Sequence, residues 1–243
     1  MASLDKEPTV PKDSFDKKKT EAETDGFKDQ LFDLQNTLFA EKKHSLLVIL
    51  AGLDASGKDG TVSHVFSSMN PMGVNVKAFK APTEEEQEHD FLWRVHPHVP
   101  AKGMIQIFNR SHYEDILVPT VHKTFDKDII ERRYDIINAF EQSLVDEGTV
   151  ILKFFLNVSK EEQKERIKDR LTVARKKWKY DPADKTESEF RDDYLKVYDK
   201  IFERCSPKLP WIIVPADKKW YRNYIVAKTM VDTLKALKMK YPS

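Results

Sequence analysis

Apolar residues gather in five short runs: "LLVILA" (46–51), "VNVKAF" (74–79), "GMIQIF" (103–108), "VILKFFLNV" (150–158) and "WIIVPA" (211–216). Each reads as a buried strand. The intervening stretches are long enough for crossover helices, most clearly about 58–69, 127–146, 159–179, 187–204 and 218–239. Strands that alternate with helices imply a mostly parallel sheet covered on both faces. In such a fold ligands sit at the carboxyl ends of the strands, so the residues just past each apolar run are where chemistry is sought. Ahead of the first run, Phe27, Leu31, Leu34 and Leu38 fall on one helical face and predict a helix of about four turns. Residues 1–26 are charged and carry Pro8 and Pro11, which predicts a flexible or loosely docked extension before a single domain over 27–243.

Past the first run lies "GLDASGKDGT" (52–61). Gly52, Gly57 and Lys58 satisfy G-x-x-x-x-G-K between a strand and a helix, the context in which that spacing binds phosphate. Backbone N–H groups of the loop and of the helix start face phosphate oxygens, with Ala55 and Gly60 in the same cradle, and the lysine reaches the group being moved. The plainer alternative is a glycine-rich βα turn with a solvated lysine. Two acids depart from the pattern. Asp54 would repel phosphate at close range, and becomes useful by facing a Mg²⁺ between phosphates or by activating an acceptor phosphate. Asp59 stands where a hydroxyl is usual and reads as helix surface, suited to the dipole of a first helical turn. Thr61 is either the substitute hydroxyl or ordinary surface.

Past the third run, "NRSHYED" places Asn109, Arg110 and Ser111 beside the first loop. Arg110 there can bridge phosphates and neutralise transition-state charge, unless it merely pairs with Glu114 on a helix. Glu114 and Asp115 form an acidic pair suited to a metal or a nucleotide. Lys80, after the second run, adds positive charge. Further on, Arg166, Lys168, Arg170, Arg175, Lys176, Lys177 and Lys179 crowd one segment, with acids thin between Asp169 and Asp181. A basic run is usually a solvated face; after a phosphate-loop core it can instead close as a lid, excluding water.

Composition narrows the picture. The 243 residues suit one α/β domain, and 41 basic against 40 acidic residues leave a net charge of +1. No global field points to nucleic acid, so any basic site is a local patch. The lone Cys205 excludes a disulfide framework and suits a reducing cytoplasm; it reads as a buried or idle thiol. No apolar stretch nears the roughly 18 residues of a membrane span. The histidines His89, His96, His98, His112 and His122 lack the carboxylates or thiolates that would complete a zinc site, and His96-Pro97-His98 reads as a turn before the third run. Thr83 with Glu86 predicts a capping box, and Arg94 either touches phosphate or pairs with a glutamate. Which aromatic residue meets a nucleobase is open.

"GLDASGKDGT", "KAPTEEEQEHDFLWRVHPHVP", "IFNRSHYEDILVPTVH" and "RLTVARKKWKYDPAD" occur in this order at fitting intervals and together resemble the polyphosphate kinase type 2 family, across about residues 27–240. The resemblance implies a thymidylate-kinase-like α/β P-loop fold: three α/β/α layers, a five-stranded parallel sheet and a helical lid near 166–186. It implies Mg²⁺-dependent, reversible transfer of the terminal phosphoryl of inorganic polyphosphate to a nucleoside mono- or diphosphate, by a homodimer or homotetramer. By position, Asp54 and Lys58 match the family's essential loop acid and lysine, Arg110 its second-motif arginine, and Arg170 and Arg175 its lid. Many members carry Asp where this chain has Asn109; the Asn form followed by "HYED" resembles the subclass acting on both AMP and ADP. That moves the second metal-side charge to Asp115 or Glu114. Two rivals stay open: an ATP-dependent nucleoside-monophosphate kinase, and a non-catalytic polyphosphate or nucleotide binder.

Overall fold

Five parallel strands form one sheet in the order β2-β3-β1-β4-β5: β1 Ser45–Ala51, β2 Val74–Ala78, β3 Ile105–Asn109, β4 Thr149–Asn157 and β5 Trp211–Pro215. The computed structural model describes residues 3–179, 182–205 and 207–242. All five apolar runs became strands; β1, at the centre of the sheet, is buried on both faces, as a covered parallel sheet allows, whereas the edge strand β2 stays largely exposed.

The two faces are legible in β1. Leu46, Val48 and Leu50 enter a core shared with α1 (Lys17–Glu41), α2 (Lys58–Val65) and α9 (Lys219–Ala236). Leu47, Ile49 and Ala51 enter the other, shared with α4 (Glu114–His122), α5 (Lys127–Asp146) and α8 (Arg191–Cys205). This is the expected three-layer P-loop kinase arrangement. Its register pairs Leu50 with Asn109 and Ala51 with Phe155, so the strand ends after β1, β3 and β4 open side by side.

Several element bounds differ from the sequence reading. α1 starts ten residues early, at Lys17, where Asp16 caps it by accepting from the Lys19 N–H at 2.8 Å. The segment before it is docked: Leu4 is buried, its N–H donates to Asp199, and Asn157 Nδ2 donates to the carbonyls of Glu7 and Pro8. Composition counted its charges but not these backbone bonds. α2 stops at Val65, and the helix expected over 159–179 ends early too. α6 (Lys160–Thr172), capped by Ser159, gives way to a 3₁₀ turn, Ala174–Lys179, after the β-branched pair Thr172-Val173. A short α7 (Pro182–Glu189) precedes α8, which begins at Arg191. Residues 180 and 181 of the expected lid, with Asp181, lie outside the described residues. The capping box formed as expected on α3 (Glu84–Gln87), and His96–His98 is a 3₁₀ turn. No helix among the described residues is long and apolar enough to cross a membrane.

Candidate active site

The loop after β1 turns through two glycines at positive φ, Gly52 at 139° and Gly57 at 107°. A Cβ on Gly52 would stand 2.9 Å from the Leu156 carbonyl oxygen, so β4 leaves no room for a side chain. Ala55 also takes a left-handed φ of 60°, which aims successive N–H groups to one side before α2 begins. Lys58, the first residue of α2, is buried and folds back over the loop, donating to the Gly52 carbonyl at 2.7 Å and that of Leu53 at 3.2 Å. Burial, and then the charge of Arg110, push its ammonium down to about 8.

Arg110 arrives from the neighbouring strand end. Its N–H donates to the Leu50 carbonyl at 3.1 Å, and its φ of 64° is strained for a non-glycine residue. The turn points its guanidinium at the first loop, where Nη2 donates to Asp54 Oδ1 at 2.6 Å. Burial alone would raise the Asp54 carboxyl, but Lys58, Arg110 and, more weakly, Arg170 outweigh it and hold it below its usual range. Glu114 faces the same cluster. Burial raises its carboxyl, against the pull of Arg110 and Lys58. One acid held below its usual range and a second raised above it, around a lysine and an arginine, can meet phosphates, a cation or both.

A buried network fixes this segment from behind. Lys153 on β4 donates to Glu141 at 2.7 Å, to the Tyr113 hydroxyl at 3.0 Å and to the Cys205 carbonyl at 2.7 Å. Tyr113 and His112 also bond Glu141, so the two residues between Ser111 and Glu114 are anchored on the sheet. Cys205 itself is buried, and burial pushes its thiol up to about 12, as suits an idle group.

Not every expected residue sits as its type suggested. Asp115 does not present a free carboxylate for metal: Arg94, itself buried, donates to it at 2.9 Å and also to the Lys80 carbonyl. Arg94 is thus a structural partner that ties β2's exit to α4. Asp59 is more than helix surface, for it accepts from Asn109 Nδ2 at 2.8 Å and joins the two loops. The Thr61 hydroxyl is buried and donates to the Gly57 carbonyl at 3.2 Å, closing the first turn of α2 rather than opening to the loop. Arg175 is exposed on the 3₁₀ turn, and no contact among the described residues joins it to the loop, whereas the charge of Arg170 is felt at Asp54.

The sequence reading counted Arg166 among the cations of a closing lid and gave Gln163 no role. Arg166 donates to the carbonyls of Ala55, Ser56, Ala216 and Asp217, clamping the loop to the end of β5. Gln163 donates to the Asp54 carbonyl at 3.0 Å and is held in turn by Arg191. The spacing of Gln163 and Arg166, one turn apart at the start of the basic helix, was the available signal.

Beside the loop opens a cavity of about 1030 Å³. Gly52, Asp54, Arg110 and Glu114 line it, together with Lys80, Phe91, Phe125 and Ile136. Arg133 is stacked between Phe91 and Phe125, with its guanidinium 4.9 Å and 4.3 Å from the two ring centres. Charged groups and aromatic walls in one cavity fit a nucleotide-sized ligand. Glu187 of α7, His122 and Tyr194 also line the cavity, with the Glu187 carboxylate 3.1 Å from His122 and accepting from the Tyr194 hydroxyl at 2.5 Å.

Comparison with known proteins agrees with this geometry. Residues 14–242 match the family model for Polyphosphate kinase 2. The chain is 46% identical over 214 residues to an AMP/ADP-polyphosphate phosphotransferase of Meiothermus ruber, covering 88% of this chain and 80% of that protein. It is 41% identical over 227 residues to an ADP-polyphosphate phosphotransferase of Rhodopseudomonas palustris, covering 88% and 78%. The crystal structure of Polyphosphate Kinase 2 from Arthrobacter aurescens superposes with a TM-score of 0.94 at 42% identity, covering 99% of this chain and 88% of that one.

Proposed function

The chain belongs to the polyphosphate kinase 2 family, and we propose that it transfers the terminal phosphoryl group of inorganic polyphosphate to AMP, ADP or both. The observation that carries this reading is the convergence of Asp54, Lys58 and Arg110 beside a cavity of about 1030 Å³. An acceptor nucleotide occupies the cavity with its phosphate at Arg110; the donor lies on the loop and at Lys58. An acceptor phosphate oxygen attacks the terminal phosphorus, the P–O bond to the next phosphate breaks, and the shortened polyphosphate leaves with the electron pair. One anhydride replaces another, so the reaction is reversible. No protein nucleophile is required, because phosphoryl transfer runs on positioning and charge neutralisation.

Each side chain has a defined part. Lys58 leaves the Gly52 and Leu53 carbonyls to bridge the oxygens of the transferring group. Arg110 turns from Asp54 toward donor and acceptor phosphates, so the pair at 2.6 Å stores it in place beforehand. Arg170 brings positive charge from α6, and closure of the lid excludes water, which would otherwise take the phosphoryl group.

Mg²⁺ belongs to this reading, and the residues present fit it. No group of three metal-ligating side chains exists among the described residues, but Mg²⁺ typically needs only one or two carboxylates beside waters and substrate phosphates. Asp54 and Glu114 would hold it, not Asp115, which Arg94 occupies. When bound it would neutralise phosphate charge. Assembly as a homodimer or homotetramer and action in the cytoplasm complete the proposal.

The test is a donor–acceptor matrix: purified protein with AMP or ADP and polyphosphate of varied chain length, without ATP. Formation of ADP or ATP is the expected result. Turnover with ATP alone would instead favour a nucleoside-monophosphate kinase, and binding without turnover a scaffold.

A further inference from the structure

Arg222, near the start of α9, is the largest fully buried side chain among the described residues at 1% exposure. Its Nε and Nη2 donate to the side-chain oxygen of the adjacent Asn223, at 3.2 and 2.9 Å. No carboxylate among the described residues pairs with it, and its influential charged neighbour is another cation, Arg166. Burial and then Arg166 push its guanidinium down to about 10. A buried arginine without an acid is costly, and one that served only to fill space would be replaced without loss by a methionine.

Its location supplies a reason. A Cβ on Gly57 would stand 1.9 Å from Arg222 Nη1, and one on Gly60 would stand 3.2 Å from Nη2. The guanidinium therefore occupies the space that side chains at two positions of the phosphate-loop motif would take. Arg166 Nη1 lies 3.5 Å from the same Gly57 point while bonding the loop carbonyls. Lys219 belongs to the same group: burial lowers its ammonium, and Lys176, Arg166 and Arg222 lower it further. Glu162 and Asp169 temper this patch, paired with Arg166 and Lys176 respectively. The patch is assembled from α6, the 3₁₀ turn that follows it and α9, and packs against the start of α2, so no sequence-local pattern announces it.

We propose that Arg222 is a fixed counter-cation of the phosphate loop, a positioning residue that gives the Gly57–Gly60 turn the positive charge a polyphosphate donor neutralises. It acts through the loop and does not touch the reacting atoms. The cost of burying it without an acid is offset when an anion arrives. The proposal rests on the reading of polyphosphate as donor.

The test compares Arg222→Met, Arg222→Gln and Arg222→Lys with the unsubstituted protein. Thermal melting is followed alone, with polyphosphate and with AMP, and KM is measured for both substrates. The neutral variants are expected to melt at or above the unsubstituted protein when free of ligand. They should lose most of the stabilisation by polyphosphate and show a KM for it raised roughly tenfold, the scale of one charge-assisted contact, with KM for AMP within about twofold. Arg222→Lys should recover most of the polyphosphate response. If the neutral variants melt lower and respond to polyphosphate as before, Arg222 is structural filler and the proposal falls. Should neither neutral variant fold, Arg222→Lys decides: a polyphosphate KM near normal supports the charge role, and a KM lost equally for both substrates overturns it. If the unsubstituted protein gains no stability from polyphosphate, the functional reading itself fails, and this assignment with it.

Discussion

Asp54 Oδ1 and Arg110 Nη2 stand 2.6 Å apart, joining the loop after β1 to the turn after β3. The sheet order makes this possible, because β1 and β3 are neighbours although more than 50 residues separate them in the chain. The acid keeps the arginine aimed at the loop, and the arginine helps keep the acid ionised.

Removing either partner should therefore disable turnover without unfolding the protein. Asp54→Ala and Arg110→Ala are each expected to lower kcat at least ~10²-fold, the scale of removing one preorganised electrostatic group. Steady-state kinetics beside circular dichroism checks this; a well-folded variant with full turnover would refute the site assignment.

Lys58 predicts a pH dependence of phosphate binding. Its ammonium sits near 8 when folded against an ordinary 10.5, so between those values the unfolded chain holds more protons. Stability from this group is therefore lowest below pH 8 and rises through that window. Bound phosphate favours the charged lysine and takes up a proton, so polyphosphate affinity should weaken above pH 8, by at most about tenfold per unit. Calorimetric titration at pH 7, 8 and 9 measures both the affinity and the proton uptake. An affinity constant across that range would contradict the assignment.

Asn109 and Asp59 predict a cation-sensitive contact. Asn109→Asp would replace the 2.8 Å hydrogen bond with two facing carboxylates. The ligand-free protein should lose about 1 kcal/mol, or 2–4 °C of melting temperature in a chain of this size, and millimolar Mg²⁺ should restore it. Scanning calorimetry with and without Mg²⁺ decides; identical melting of both proteins in both conditions would mean the contact is idle.

The pair Lys153–Glu141 predicts a strongly non-additive cycle. Both side chains are 1% exposed and 2.7 Å apart, so Lys153→Met leaves the buried acid without its lysine, held by Tyr113 and His112. A loss of about 3–5 kcal/mol is expected, with most of it recovered in Lys153→Met/Glu141→Leu. Urea unfolding of the three variants measures it, and additive losses would show that the pair contributes little as a pair.

Much of this was legible beforehand. All five strands lie where the apolar runs placed them, and Gly52, Asp54, Lys58, Arg110 and Glu114 do meet. The misjudged residues share a cause. Asp59 and Asp115 were weighed against their neighbours in sequence, yet their partners, Asn109 and Arg94, come from other elements. Arg166 was visible as one cation in a basic run, and its four carbonyl partners were not. Arg222 carried no local mark, since a single arginine on a helix has many meanings.

The amino-acid sequence by itself determined the alternation of strand and helix, the glycines of the phosphate loop and the chemical types at each strand end. Those features depend on backbone conformation and side-chain period over a few residues, and so are written locally. Tertiary structure alone decided which charges pair, which acid is left for phosphate or metal, and which arginine lies under the loop. Such pairings depend on distances between elements far apart in the chain, and burial then decides whether a given pair neutralises charge or stores it for a ligand.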